Sequence, residues 1–297
     1  MGIIRNKMTG KCKLCEKNTS LKQSHIVPKF IFKWLRDTSA TGYFRFGENP
    51  NKRAQDGFKE YLLCGDCEAV LNKWETEFAT NVFHPLVTGS NNYFEYGSWF
   101  LKFVVSLSWR SLLYFKKFGL SHFTESQINE VEQALEVWRK FLLGENKYLE
   151  KYQQHVLPID IVSELFIPGL PANINRYFLT GIDIDPIANN QQALVYVHIP
   201  YFIFFGGIQI RPELWENTII DVNKGTIGIN KCIIPQSIAD YVIDKAKEVG
   251  RIGGSLSERQ KSKVEKIIRN DLNKTINSKT FKSMRADVKL FGEEAFE

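Results

Sequence analysis

Two pairs of cysteines are the feature that most constrains the fold of this chain. The segments "CKLC" and "CGDC" share a two-residue gap, and they hold four of the five cysteines in 297 residues. Such a gap lets two thiolates from one turn reach the same tetrahedral ion, as in structural zinc sites. The first residues lack the apolar run of a secretory signal, so disulfides are not expected. The pattern predicts a structural Zn²⁺ bound by Cys12, Cys15, Cys64 and Cys67.

A histidine lies in the loop between the two cysteine pairs. The 48 residues that separate the pairs exceed the roughly 15–20 of a common zinc ribbon, so the loop holds additional structure. It includes "SHIVPKF", where Pro28 favours an extended backbone just after His25. A lone histidine is by default a surface or core residue. His25 becomes a candidate for catalysis because both cysteine pairs hold its segment near the metal.

The combination C-x2-C…SHIVP…LLCGDCE resembles the HNH endonucleases, the ββα-metal nucleases whose core of a hairpin and a helix often lies on a four-cysteine zinc knot. Within this superfamily it is similar to an uncharacterised bacterial subgroup. The resemblance spans residues 10–85 and implies an N-terminal ββα or treble-clef zinc domain. It also implies that His25 is the general base, and that the stretch after Cys67 carries ligands of a catalytic Mg²⁺ or Mn²⁺.

The candidate ligands follow from helical spacing after the second cysteine pair. If "CEAVLNKWETEF" is a helix, Glu68 and Asn72 lie on one face, and Glu75 lies on roughly the same side. Carboxylate and amide oxygens suit Mg²⁺ or Mn²⁺. The alternative is that these residues are only the polar face of an amphipathic helix. Its apolar face would then consist of Val70, Leu71, Trp74 and Phe78.

Two positions depart from the pattern of the HNH family and leave alternative functions open. Ser24 stands where the family has an acidic metal ligand, and Glu68 stands where it has asparagine or histidine. The leading hypothesis is a metal-dependent endonuclease that hydrolyses DNA phosphodiester bonds, with bacterial defence against foreign DNA as a family association. The first alternative is a non-catalytic, zinc-stabilised module that binds nucleic acid or protein through a decayed site. The second is an RNA-directed nuclease.

The rest of the chain indicates an α+β protein, with a zinc domain over 1–90 and a helical and β-rich domain over 91–297. A helix from about 94 to Gly119 is apolar nearly all round. A second helix is predicted between a capping box at Thr124 and Gln127 and a glycine at position 144.

Short β-rich runs follow, from about 156 to 232, and predict a small antiparallel sheet. These runs are "NRYFLTGIDI", "ALVYVHI", "YFIFFGGIQI", "NTIIDV" and "GTIGI". The second and third are two buried strands and not a membrane span, because Pro200 and two glycines interrupt them. "PQSIADYVIDKAKEVG" then predicts a helix that stops at Gly250.

The charge distribution is compatible with a nucleic-acid partner, expected to be double-stranded DNA. The chain carries a net charge of +6, and residues 245–289 hold 13 lysines and arginines against 5 acidic residues. Such a segment can neutralise phosphates, although a charged stretch is more often a solvated face. A cytoplasmic location without membrane contact is expected, and a homo-oligomer or protein partner stays open. Structural roles are expected for His84, His122, His155 and His198, and Cys232 is expected to be buried and inert.

Overall fold

The fold is described from a computed structural model that covers residues 8–164, 169–228 and 231–296. It mixes helices and antiparallel sheets, which confirms the predicted α+β class. The N-terminal part has a three-stranded sheet in the order β1-β2-β3. Along the chain, one helix precedes β3 and another follows it. The elements of this part are β1 (Thr9–Lys11), β2 (Asn18–His25), α1 (Lys29–Thr38), β3 (Lys59–Cys64) and α2 (Gly65–Phe78).

Strands β2 and β3 are antiparallel, and α2 begins where β3 ends. Helix α2 therefore directly follows a pair of antiparallel strands, and α1 and a long loop are inserted between those strands. A π-helical turn (Ala79–Phe83) and α3 (His84–Thr88) continue α2. The identification of this unit as an HNH domain stays a prediction.

The C-terminal part begins with a strand and two long helices. These are β4 (Tyr93–Gly97), α4 (Ser98–Lys116) and α5 (Glu125–Leu143). Thr124 and Gln127 form the predicted capping box, and Gly144 ends α5 with a left-handed φ of 78°. The helix predicted from 94 instead begins at Ser98, because the preceding residues pair as β4 with a distant strand.

A four-stranded antiparallel sheet in the order β5-β8-β7-β6 follows. Its elements, with the helix and strand that flank it, are β5 (Gln154–Pro158), α6 (Ile174–Thr180), β6 (Asp183–Ala188), β7 (Ala193–Ile199), β8 (Phe202–Gln209) and β9 (Lys224–Gly228). Every residue of β7 is buried, and so is β8 up to its last residue. The long apolar run is therefore two interior strands. Among the described residues, no helix combines the length and hydropathy needed to cross a bilayer.

Three of the strand predictions differ from the structure. "NRYFLTGIDI" divides into α6 and β6, because the buried Asp287 carboxylate accepts the N–H groups of Asn175 and Arg176 and stabilises a helix start. "NTIIDV" contributes only a single bridge, between His155 and Ile219. Of "GTIGI", residues 225–228 belong to β9, which pairs with β4 and not with the four-stranded sheet, and Ile229 lies outside the described residues.

Four α-helices follow β9 in the described residues, and a 3-10 turn (Gly292–Phe296) comes after the last of them. The four helices are α7 (Gln236–Gly254), α8 (Glu258–Asn270), α9 (Leu272–Asn277) and α10 (Lys279–Phe291). The first of them continues past Gly250, where the sequence predicted its end. Helix α8 contains no buried residue, so it lies on the surface of the protein.

One apolar cluster connects the N-terminal part of the protein to the C-terminal part. Phe78 at the end of α2 stacks on Phe103 of α4 with ring centroids 4.2 Å apart, and it also contacts Phe204 of β8. Helix α4 is buried along most of its length, as its uniformly apolar sequence predicts. The domain boundary near residue 90 stays a prediction, and the buried core is continuous across it.

Candidate functional site

The four cysteines of the two pairs meet in one cluster. Their Sγ atoms all lie within 4.8 Å of one another. Cys12 and Cys15 lie in the turn that joins β1 to β2, while Cys64 ends β3 and Cys67 lies in the first turn of α2. Because four thiolates are the donor set of tetrahedral zinc, the cluster fits a metal ion such as Zn²⁺. It ties both ends of the 48-residue loop to one point.

The backbone around Cys12 favours the thiolate that metal binding needs, whereas burial and the neighbouring thiols of Cys64 and Cys15 raise the pKa of the Cys67 thiol. Burial opposes ionisation of Cys12, but N–H groups of Cys64, Cys15 and Leu14 lower the pKa of its thiol to about 7. The Cys64 amide donates to the Cys12 sulfur over 3.4 Å. Thiolate is the form that binds zinc, so this end of the cluster is prepared for an ion.

His25 is the last residue of β2, and its side chain is half-buried where the pairing of β2 with β3 ends. Its register partner is Lys59, the first residue of β3. The imidazole Nε2 lies 2.7 Å from Oδ1 of Asp56, and the ring of Phe32 packs 6.5 Å from it, centroid to centroid. The predicted general base therefore has a carboxylate partner.

Asp56 is the partner of His25 that sequence reasoning missed. Its Oδ1 also accepts the Gly57 amide over 3.0 Å, and Lys59 binds its other oxygen. Burial opposes ionisation of Asp56, yet the bonds from Lys59, His25 and Gly57 lower the pKa of its carboxyl to about 2. The available signal was the Asp-Gly turn directly before a strand.

Gly57 fixes the path of the chain at this turn. A Cβ atom added there would lie 2.0 Å from the buried ring of Phe32. The turn therefore packs its backbone directly on α1, and this packing places Asp56 opposite the end of β2.

Glu68, in the first turn of α2, contacts the residue before His25 in β2. Ser24, which is fully buried, donates its hydroxyl to Oε2 of Glu68 over 2.5 Å. Ser24 stands at the position that is acidic in the HNH pattern, and its hydroxyl orients the carboxylate of Glu68. This bond ties the first turn of α2 to the residue that precedes His25 in β2.

The other two predicted ligands are placed differently. Glu75 forms an ion pair with the buried Arg110 of α4 over 2.8 Å, and Arg110 also donates to the His25 carbonyl over 2.8 Å. The Glu75 carboxylate therefore holds the guanidinium that supports the His25 main chain. Asn72 is exposed to solvent. Val70, predicted on the apolar face, is 44% exposed because it lies outside the buried face of α2, which consists of Cys67, Leu71, Trp74 and Phe78.

The donor set near His25 fits a magnesium-type ion only with help from a substrate. Among the described residues, the four cysteines are the one group of three or more His, Cys, Asp or Glu side chains close enough to share an ion. Mg²⁺ is commonly held by one or two carboxylates together with waters and substrate phosphates. Glu68 could supply the protein part of such a site.

The remaining histidines and the fifth cysteine lie elsewhere. His84 is exposed, and His122 donates to the Pro186 carbonyl over 2.8 Å. His155 and His198 are buried, and burial lowers the pKa of each to about 4. Cys232 was predicted to be buried but is half-exposed, because its thiol turns to the surface loop and donates to a backbone carbonyl.

Basic residues surround the loop that carries Asp56. Two arginines, Arg45 and Arg53, lie over the ring of Tyr43 at 5.2 and 4.5 Å from its centroid. Arg45 also donates to Gln260 of α8 over 3.0 Å, and Asn51 accepts the amide of Ser257 over 2.9 Å. The basic C-terminal segment is thereby held against the same loop.

Comparisons of this chain with protein-family models, with curated proteins and with solved structures found no match.

Proposed function

We propose that this protein is a metal-dependent endonuclease of the HNH type that hydrolyses phosphodiester bonds in DNA. The observation that carries the proposal is the position of His25. It ends β2 with its imidazole bonded to Asp56, while the preceding residue, Ser24, bonds to Glu68 in the first turn of α2. A role in defence against foreign DNA comes only from the family resemblance.

The chemistry assigned to the chain is general-base hydrolysis. His25 accepts a proton from the attacking water, which contributes about 10²–10⁴ in rate. A divalent ion at Glu68 and the substrate phosphate would supply charge neutralisation at the phosphate and at the leaving oxygen. Arg110 holds the His25 main chain in place through the carbonyl.

The second candidate function is a binding module without catalysis. It is favoured by the bond from Ser24 to Glu68, which occupies one carboxylate oxygen. A binding module would retain affinity for nucleic acid and cleave none of it.

Cleavage assays with the purified protein separate these two functions. Plasmid DNA and single-stranded RNA are each incubated with Mg²⁺, with Mn²⁺ and without added divalent ion. We expect cleavage of plasmid DNA that depends on the added ion. Binding without cleavage of either nucleic acid, with every ion tested, would leave the binding module as the function, whereas cleavage of RNA alone would redirect the proposal to RNA.

Glu68→Gln should weaken the response to the divalent ion. The amide keeps an acceptor for Ser24 but removes the negative charge, so the fold is spared an unpaired buried hydroxyl. Loss of second-shell partners alone costs about 10–100-fold in metal affinity, and a direct ligand should cost no less. We expect the Mg²⁺ concentration for half-maximal rate to rise by about tenfold or more, and the cleavage rate to recover in part at high Mg²⁺.

Glu77→Gln is the matched control for this variant. Glu77 belongs to the same helix and binds Asn81, away from Ser24. Equal Mg²⁺ requirements for the wild type and for Glu68→Gln would remove Glu68 from the proposed site.

Helix α8 should contribute to affinity through phosphate contacts. Its half-buried side chains, which include Gln260, Val264 and Ile267, point toward the rest of the protein. Helical geometry places Arg259, Lys263 and Lys266 together on one exposed side, with no acidic residue between them. Neutralising these three residues to alanine should flatten the dependence of log K on log salt by about 0.9 for each lost contact.

The loss of affinity should be similar for unrelated DNA sequences, since phosphate contacts carry no sequence information. The control variant neutralises three exposed lysines of other elements, Lys147, Lys224 and Lys231. An equal change of salt slope in both variants would show only the effect of net charge, and α8 would not be a contact surface.

A further inference from the structure

The imidazole of His25 uses its two nitrogens differently. Nε2 is 2.7 Å from Oδ1 of Asp56, a distance typical of a charge-assisted hydrogen bond. Within the described part of the chain, Nδ1 has no hydrogen-bond partner, and it is not among the fully buried unpaired atoms. One nitrogen is therefore held by the protein, while the other is accessible to water.

The carboxylate of Asp56 is itself held in position. Gly57 donates its amide to the oxygen that faces His25, over 3.0 Å, and Lys59 binds the second oxygen. A carboxylate with these donors stays ionised at neutral pH and can only accept hydrogen bonds. The hydrogen of the shared bond must therefore lie on Nε2 of His25.

We propose that Asp56 is a positioning residue that fixes His25 as the tautomer protonated on Nε2, so that Nδ1 is the nitrogen that acts as general base. The bond selects the tautomer because a neutral imidazole has one donor and one acceptor nitrogen. The catalytic part of this inference rests on the proposed nuclease function. The tautomer itself does not.

The proposed step at Nδ1 is the hydrolysis of a phosphodiester bond by water. The attacking water transfers one proton to Nδ1, and its oxygen forms the new bond to phosphorus. The bond between phosphorus and the leaving oxygen breaks, and the leaving oxygen takes a proton from solvent. His25 then carries a positive charge, which the neighbouring carboxylate of Asp56 stabilises until the proton returns to solvent.

The geometry also decides where a substrate approaches. The edge of the ring that carries Nε2 is closed by Asp56, and one side of the ring is near Phe32. A scissile phosphate must therefore reach the Nδ1 edge. The proposed nuclease function further requires that an ion held by Glu68, in the first turn of α2, contact the same phosphate.

The tautomer is measured by nitrogen-15 NMR on the full-length, metal-loaded protein. The spectrum is recorded at about pH 8, above the ordinary histidine pKa of ~6.5, and the His25→Gln spectrum assigns the ring. We expect a protonated Nε2 and an unprotonated Nδ1 in the wild type. In Asp56→Ala the preference should be lost, whereas Lys59→Gln, which leaves the bond to His25 in place, should keep it.

Kinetics test the positioning role. Asp56→Ala should lower kcat about 10²-fold with little change in KM, since misplacement of a reacting group by about 1 Å costs that much. Asp56→Glu should recover part of the rate if a carboxylate is what the ring needs. An unchanged kcat in Asp56→Ala would overturn the positioning role.

A wild-type ring protonated on Nδ1 would overturn the tautomer assignment whether or not the protein is a nuclease. If the wild type cleaves no nucleic acid, the proposed function and the base role of Nδ1 fail together. The spectra of the wild type and of Asp56→Ala then still decide whether Asp56 orients His25. Failure of the tautomer and failure of the nuclease are thus distinguishable.

Discussion

Cys64→Ser is expected to release the bound metal and unfold the N-terminal part of the protein. Cys64 is buried at the junction of β3 and α2, and its sulfur lies 3.8 Å from that of Cys15. Structural zinc contributes on the order of 10–16 kcal/mol in small zinc domains, which is as large as the whole stability of a typical domain, about 5–15 kcal/mol. A serine hydroxyl cannot replace the thiolate.

Metal content and thermal unfolding test this expectation. The wild-type protein should hold about one zinc ion per chain, as the single four-thiolate cluster predicts. Cys64→Ser should lose it and should melt far below the wild type or aggregate. Cys232→Ser is the control, because Cys232 lies outside the cluster. Wild-type protein that proved free of metal and fully folded would end the zinc prediction.

His25→Ala is expected to lower the rate of DNA cleavage by about 10²–10⁴, the range of a lost general base. The fold should tolerate the change. The contacts of His25 with Arg110 and with β3 use the main chain, and Asp56 keeps its bonds to Lys59 and Gly57. Zinc content and the unfolding temperature should therefore stay close to those of the wild type.

Measured rates for His25→Ala and for a second histidine variant complete the test. His84→Ala is a suitable control, since His84 is an exposed histidine in α3, outside the proposed site. Cleavage that persists in His25→Ala would keep the nuclease but remove His25 from its mechanism. Cleavage lost in both variants alike would indicate damage to the protein and not loss of a base.

The features predicted correctly depend on neighbours in the sequence. The spacing of Cys12 and Cys15, repeated later in the chain, indicated one cluster because two-residue gaps place paired sulfurs on one side of a turn. Thr124 and Gln127 predicted a helix start because both bonds of a capping box are local. The apolar run predicted two strands, which pair as β7 and β8, because the proline at position 200 interrupts the run locally.

The site around His25 could be predicted only in part. The cysteine pairs indicated that the histidine lies near the cluster, but its partner Asp56 comes 31 residues later, after a loop of irregular structure. Their contact requires the register of β2 on β3 and the packing of the Gly57 turn on Phe32. Neither of these has a local sequence pattern.

Local patterns alone also missed two long-range contacts. Helical spacing grouped Glu75 with Glu68, but it did not predict that the buried Arg110 of α4 forms an ion pair with the Glu75 carboxylate. The β-rich residues of "NRYFLTGIDI" predicted a strand, but the carboxylate of Asp287, more than a hundred residues later, satisfies the amides of a helix start within it. The sequence by itself determined the cysteine cluster, the capped helix and the interior strands, because those depend on short-range geometry. Only the tertiary structure decided which charges meet, because a buried ion takes its partner from whichever element the packing brings within reach.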